Sequence, residues 1–183
     1  MKRVLITGAD ITDIEQLARA MQGIDCVVHL AGIPDEDTWD RIRRLNIEGC
    51  YNVFEAARMA GVKRVIFASS NHAVGFHRRD RMIDDEVMPR PDSRYGVSKV
   101  FGEALGRLYA DKYGLSVACL RIGSFRPDDQ PSWNPVSMRM NAKLCSMAAL
   151  AVLSNLLDGL RISIDRVLSD DTPIRIGLYA WMQ

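Results

Sequence analysis

Four apolar runs recur along the chain: Val4-Leu5-Ile6, Cys26-Val27-Val28-His29-Leu30, Val65-Ile66-Phe67-Ala68 and Leu115 to Ile122. Each is short and nearly free of polar alternation, the signature of a strand covered on both faces. Between them the apolar period lengthens to that of a helix. Thr12-Asp13-Ile14-Glu15 has the Ser/Thr-x-x-Glu spacing of a capping box, followed by a stripe of Ile14, Leu17, Ala18 and Met21 that Gly23 closes. A second helix is expected from about Thr38 to Ala60, on Ile42, Leu45, Asn46, Gly49, Val53, Ala56 and Ala57, stopping at Gly61. A third runs from Tyr95 to Tyr113.

Strands alternating with helices through short connections predict an α/β fold, a parallel sheet with right-handed crossovers and helices on both faces. In such sheets ligands gather beyond the carboxyl ends of the strands, which here means Gly8, Gly32, Ser70 and Gly123. After Arg126 the text changes. Pro127, Pro131 and Pro135 interrupt it, an Ala/Leu-rich helix is expected from about Ala142 to Leu157 and a strand from Leu160 to Leu168. The expected division is a domain over residues 1–125 and a C-terminal irregular and helical segment, 126–183, to which no chemistry can be assigned.

Composition narrows the classes. With 183 residues the chain can bury a substantial core, and 24 basic against 23 acidic residues leave a net charge of +1. That balance recruits neither nucleic acid nor an anionic membrane. Cys26, Cys50, Cys119 and Cys145 lie far apart with no CxxC pair, so reduced core thiols are expected, with no disulfide framework and no metal. Met1-Lys2-Arg3 precedes only three apolar residues, and the longest apolar run, Met147 to Leu153, is far below the roughly 20 residues of a membrane helix. The expectation is a soluble cytoplasmic chain without a secretory leader.

Tyr95-Gly96-Val97-Ser98-Lys99 sets a phenol and an ammonium on one face of a helix, about 6 Å apart along its axis. A lysine there favours the phenolate, so Tyr95 is a candidate to exchange a proton with an alcohol or carbonyl. Alone, the pair reads more simply as a buried tyrosine and a solvated lysine. The upstream strand end Ser69-Ser70-Asn71-His72 changes that balance by supplying a hydroxyl for the same substrate oxygen.

With these residues the chain resembles the short-chain dehydrogenase/reductase superfamily, in its extended branch of NAD-dependent epimerases, dehydratases and sugar dehydrogenases. The resemblance covers Met1–Ala9 and Asp10–Ser124. It includes Val27-Val28-His29-Leu30-Ala31-Gly32, Leu45-Asn46-Ile47-Glu48-Gly49 and the Tyr95–Lys99 motif. Phe67 to Gly75 with Arg121-Ile122-Gly123-Ser124 looks most like the uronate dehydrogenases. That likeness implies a Rossmann-like domain and oxidation of a hexuronic acid at its anomeric carbon with NAD, NADP staying open. By the same resemblance Tyr95 accepts the hydroxyl proton. Lys99 depresses the Tyr95 pKa and holds the nicotinamide ribose, and Ser70 aligns the reacting oxygen. Asn71, His72 and Ser124 contact the sugar, Asn46 supports the Lys99 relay, and Gly8, Asp10, Ile11, Leu30, Ala31 and Gly32 bind the cofactor. Family members often pair through their long helices, which implies a homodimer. His29 reads as a packed core histidine.

Two departures stand against the resemblance. The family's TGxxGxxG turn becomes Thr7-Gly8-Ala9-Asp10-Ile11-Thr12-Asp13-Ile14, so isoleucines occupy the second and third glycine positions. The simplest account is a block missing between Ala9 and Asp10, carrying the usual second and third strands. Val4–Ile6 then becomes a sheet edge, and Asp10, Asp13 and Glu15 stand where a pyrophosphate would be cradled. The second departure is the tail, where Ser132-Trp133-Asn134 falls in the region of an expected carboxylate-binding arginine. Arg126 and Arg139 are substitutes, each read more simply as a solvated arginine. Competing readings are a sugar-nucleotide epimerase, a sugar-phosphate dehydrogenase sharing the SSNH segment, and a shortened non-catalytic derivative that binds a small ligand or partner.

Overall fold

The computed structural model describes residues 3–7, 10–78, 80, 83–84 and 86–123, together with the backbone of 178–182. Gly8, Ser124, Arg126, Arg139, Cys145, the expected helix Ala142–Leu157 and the expected strand Leu160–Leu168 lie outside these residues.

The elements run β1 (Val4–Thr7), α1 (Ile14–Ala20), β2 (Cys26–His29), α2 (Trp39–Ile42), α3 (Gly49–Met59), β3 (Arg64–Ser70), α4 (Arg94–Tyr113), β4 (Ser116–Ile122) and β5 (Leu178–Met182). The sheet order is β1-β2-β3-β4-β5. The first four strands are parallel, in the register Val4↔Cys26↔Arg64↔Ser116, as the alternation of strand and helix predicts. β5 pairs antiparallel to β4, with Leu120 opposite Ala180. No strand was expected there.

β1 has a described neighbour on one side only, and its Ile6 is 47% exposed. Among the described residues β1 is therefore the edge expected from the missing block. The described helices α1, α3 and α4 share one buried cluster with Val27, Val65, Phe67, Val117 and Cys119, which all point to one side of the sheet. On the opposite side Ile66, Ala118 and Leu120 are buried as well. Close approach of α4 depends on two glycines. A Cβ at Gly102 would lie 2.3 Å from the Phe67 ring, and one at Gly106 would lie 2.9 Å from Val117.

Two local features differ from the sequence reading. Asp13, not Thr12, caps α1, accepting the Gln16 N–H at 3.0 Å. Asp13-x-x-Gln16 has capping-box spacing too, and Thr12 is engaged elsewhere, donating its N–H and hydroxyl to Asp10 at 2.9 and 2.7 Å. The expected helix Thr38–Ala60 forms with Thr38 as its N-cap and Ala60 as its C-cap, but Arg43–Glu48 within it wind as a π-helix. Cys26, Cys50 and Cys119 are free and buried, and burial pushes their thiols up to about 11, 12 and 12. Among the described residues no helix is long and apolar enough to cross a membrane, and no cluster suits a metal ion.

Candidate active site

β3 ends at Ser70, whose backbone is extended while the next four residues, Asn71–Val74, turn as a 3-10 helix. Ser70 caps that turn, accepting the His72 N–H at 3.2 Å and donating to Asn71 Oδ1 at 3.2 Å. The chain returns through an extended stretch in which Asp92 receives the His72 ring Nδ1 at 2.8 Å. Ser93 then caps α4 by accepting the Gly96 N–H at 2.9 Å. Tyr95, one position past the start of α4, thereby faces the end of β3.

The three expected groups converge. The Ser70 side chain lies close enough to the Tyr95 phenol to favour its ionised form. The Lys99 ammonium lies 5.3 Å from the Tyr95 ring centre and 5.2 Å from that of Phe67, and donates to the Ala68 carbonyl at 2.8 Å. The His72 ring meets Tyr95 edge-on at 5.6 Å. Tyr95 and Lys99 are each only 7% exposed.

The electrostatics correct one expectation. The Tyr95 phenol is pushed above its ordinary value, mainly by burial; the neighbouring Ser70 side chain pulls it down and the Asp35 carboxylate adds to the rise. The depression expected from Lys99 does not prevail. Burial acts on the lysine as well, bringing it down to about 8. His29 behaves as a packed core residue: it is 2% exposed, hydrogen-bonded through Nδ1 to Thr7 Oγ1 at 2.9 Å, and driven down to about 3 by burial.

Asn46, in the π-helical turn, is buried, but its hydrogen bonds go to Ile33 and Ser98, not to Lys99. Its Oδ1 accepts the Ile33 N–H at 2.7 Å, and its Nδ2 donates to the Ile33 carbonyl at 3.0 Å and to Ser98 Oγ at 3.2 Å. Gly32 has φ +132°, a backbone conformation that favours glycine, and a Cβ there would lie 3.0 Å from Asn46 Oδ1, a tight contact.

A cleft of about 560 Å³ opens beyond β1 and β2. Asp10, Ile11, Leu30, Ala31 and Gly32, all expected at the cofactor, line it with Ile33, Pro34, Asp37, Arg41 and Leu45. Ile11 is also packed into the core against Gly49. Ser70, Tyr95 and Lys99 do not border the cleft.

Three participants escaped the sequence reading. Glu36 accepts the Tyr95 N–H at 3.0 Å and pairs with Arg94. Asp92 fixes His72. Glu103 receives both Arg121 at 2.9 and 2.8 Å and the Ser69 hydroxyl at 2.6 Å. The available signals were slight: an acidic run at Asp35-Glu36-Asp37, and charged residues flanking or inside the Tyr95–Tyr113 helix.

With this geometry in place, comparison with known proteins defines the class. Residues 2–134 match the model of the NAD dependent epimerase/dehydratase family. The chain belongs to that family. Among curated relatives, the uronate dehydrogenase of Pseudomonas putida is 44% identical over 125 residues, covering 68% of this chain and 47% of the relative. The L-arabinose 1-dehydrogenase (NAD(P)(+)) of Haloferax volcanii is 46% identical over 127 residues, covering 62% and 50%. A solved uronate dehydrogenase mutant from Agrobacterium tumefaciens, complexed with NAD, superposes with a TM-score of 0.58 at 41% identity, covering 61% of this chain and 42% of that one. The chain spans about half the length of the curated relatives it matches.

Proposed function

We propose that this chain carries the reacting half of a sugar dehydrogenase that oxidises a hexuronic acid at its anomeric carbon with NAD. The observation that carries the reading is the meeting of Ser70, Tyr95 and Lys99 at the end of β3. Oxidation of a hemiacetal removes a proton from oxygen and a hydride from carbon. Tyr95, as phenolate, takes the proton; Ser70 holds the same oxygen by a hydrogen bond; the Lys99 charge beneath the ring offsets the negative charge. NAD, when bound, is the acceptor of the hydride. Asn71 and His72 contact the sugar, the latter oriented by Asp92, and Ser124 joins them by resemblance.

The cleft fits the adenosine half of such a cofactor. Leu30, Ile33, Pro34 and Leu45 give apolar walls, and Asp10 offers a carboxylate acceptor. Asp10, Ile11, Leu30, Ala31 and Gly32 would hold it, with Gly8 by resemblance and Asn46 indirectly through Ile33. A second reading, a binding module without turnover, is favoured by the acidic residues at the cleft and by its separation from Tyr95. The relatives also leave a neutral pentose as an alternative substrate.

The test follows nicotinamide absorbance with the purified chain, NAD, and glucuronate, galacturonate, arabinose, glucose 6-phosphate or UDP-glucuronate in turn. Reduction with the uronates is the expected result. Preference for another sugar would move the substrate assignment, and NAD binding without reduction by any of them would favour the binding module.

A further inference from the structure

Glu36 lies in the loop between β2 and α2, yet its carboxylate reaches the start of α4. One oxygen accepts the Tyr95 N–H at 3.0 Å and the other pairs with Arg94. First-turn N–H groups have no partner inside their helix and carry its positive end, so a carboxylate is well placed there. The Glu36 carboxyl is held below its ordinary range, first by that N–H and then by Arg94. The Tyr95 carbonyl leads back to the same loop. It accepts the Ser98 hydroxyl at 2.6 Å, Ser98 accepts from Asn46, and Asn46 holds both backbone groups of Ile33. Ile33 belongs to the cleft wall.

We propose that Glu36 is a positioning residue, its carboxylate fixing the Tyr95 backbone to the cleft loop so that the phenol and the cleft's occupant keep one register. The proposal deepens the reading of Tyr95 as proton acceptor and rests on it. The Arg94 pair is largely exposed and contributes little. The weight falls on the Tyr95 N–H, which glutamine can still bind and alanine cannot.

The full chain is compared as wild type, Glu36→Gln and Glu36→Ala. Loss of one charge-assisted hydrogen bond predicts exchange of the Tyr95 amide roughly tenfold faster in Glu36→Ala, with the Ile33 amide accelerated alongside it and Glu36→Gln close to wild type. With uronate and NAD, kcat falls by roughly tenfold in Glu36→Ala while the sugar KM stays within about twofold, and Glu36→Gln restores most of it. Unchanged exchange at Tyr95, or acceleration there without Ile33, overturns the proposal. So does faster exchange with an undiminished kcat, which would make the contact merely structural. Should the wild type reduce no NAD, the dehydrogenase reading fails on its own, and the paired exchange at Tyr95 and Ile33 still decides whether Glu36 couples the two elements.

Discussion

The two ends of the site ride on different parts of the sheet. Ser70, Lys99 and Tyr95 sit on β3 and α4, where β3 is paired on both sides and α4 is packed through Gly102 and Gly106. The cofactor cleft sits on β1 and β2, and β1 is the edge. The interior end keeps a converged geometry. The edge end keeps its lining residues but carries Asp10 and Asp37 beside the space they enclose. Geometry on interior strands is over-determined by neighbours on every side, whereas a strand at the edge takes half its constraint from elsewhere.

The strongest way to separate the ends is Tyr95→Phe. Removing the proton acceptor should lower NAD reduction by about a thousandfold, with far-UV circular dichroism unchanged. A rate within a few fold of wild type would take Tyr95 out of the mechanism. Next in size is the support under the interior end. Glu103→Ala strips the carboxylate from the half-buried Arg121 and from Ser69. The expected cost is about 3–5 kcal/mol, read as a fall in unfolding temperature of roughly 10 °C; a shift of only a degree or two would mean that the strand ends are held by other contacts.

At the edge end, Asp10→Ala should weaken NAD affinity about five- to tenfold by calorimetry, the loss of one charge-assisted hydrogen bond. Tighter binding would mean that the carboxylate acts by repulsion instead. The smallest effect is on stability and carries a sign. Folded Lys99 loses its proton at about 8 against 10.5 for an unhindered lysine, so between those values the unfolded chain holds the extra proton and stability rises with pH. Below about 8 the cost of burying the charge is fully present. Lys99→Met should therefore raise the unfolding temperature at pH 7 by about 3 °C, with the gain shrinking toward pH 10. A loss at pH 7 would show that the Ala68 bond and the ring contacts outweigh desolvation.

Much of this was legible in the residues. Tyr95 and Lys99 declared themselves by helical spacing, Ser70 by ending an apolar run, and Gly32 by following one. What stayed hidden depended on partners remote in sequence. Glu36 meets Tyr95 across 59 positions and Asn46 meets Ser98 across 52, distances over which local pattern carries no information. The cap moved from Thr12 to Asp13 because two overlapping capping spacings compete and Thr12 was claimed by Asp10. The phenol sits above its ordinary value because helical spacing gives proximity but not burial, and burial dominates. β5 carries the aromatic enrichment of a strand in Leu178–Met182, but nothing local says that it runs against β4.

The π-helical turn at Arg43–Glu48 makes the site sensitive to chain length as well as to side-chain identity. A helix advances about 100° per residue, so losing one amino acid from this turn would swing the preceding α2 segment around the axis relative to α3. Asn46 would then no longer face Ile33. An in-frame deletion of one codon here would unpick the loop from the reacting helix even with every polar residue kept, a lesion that comparing residue types alone would never flag.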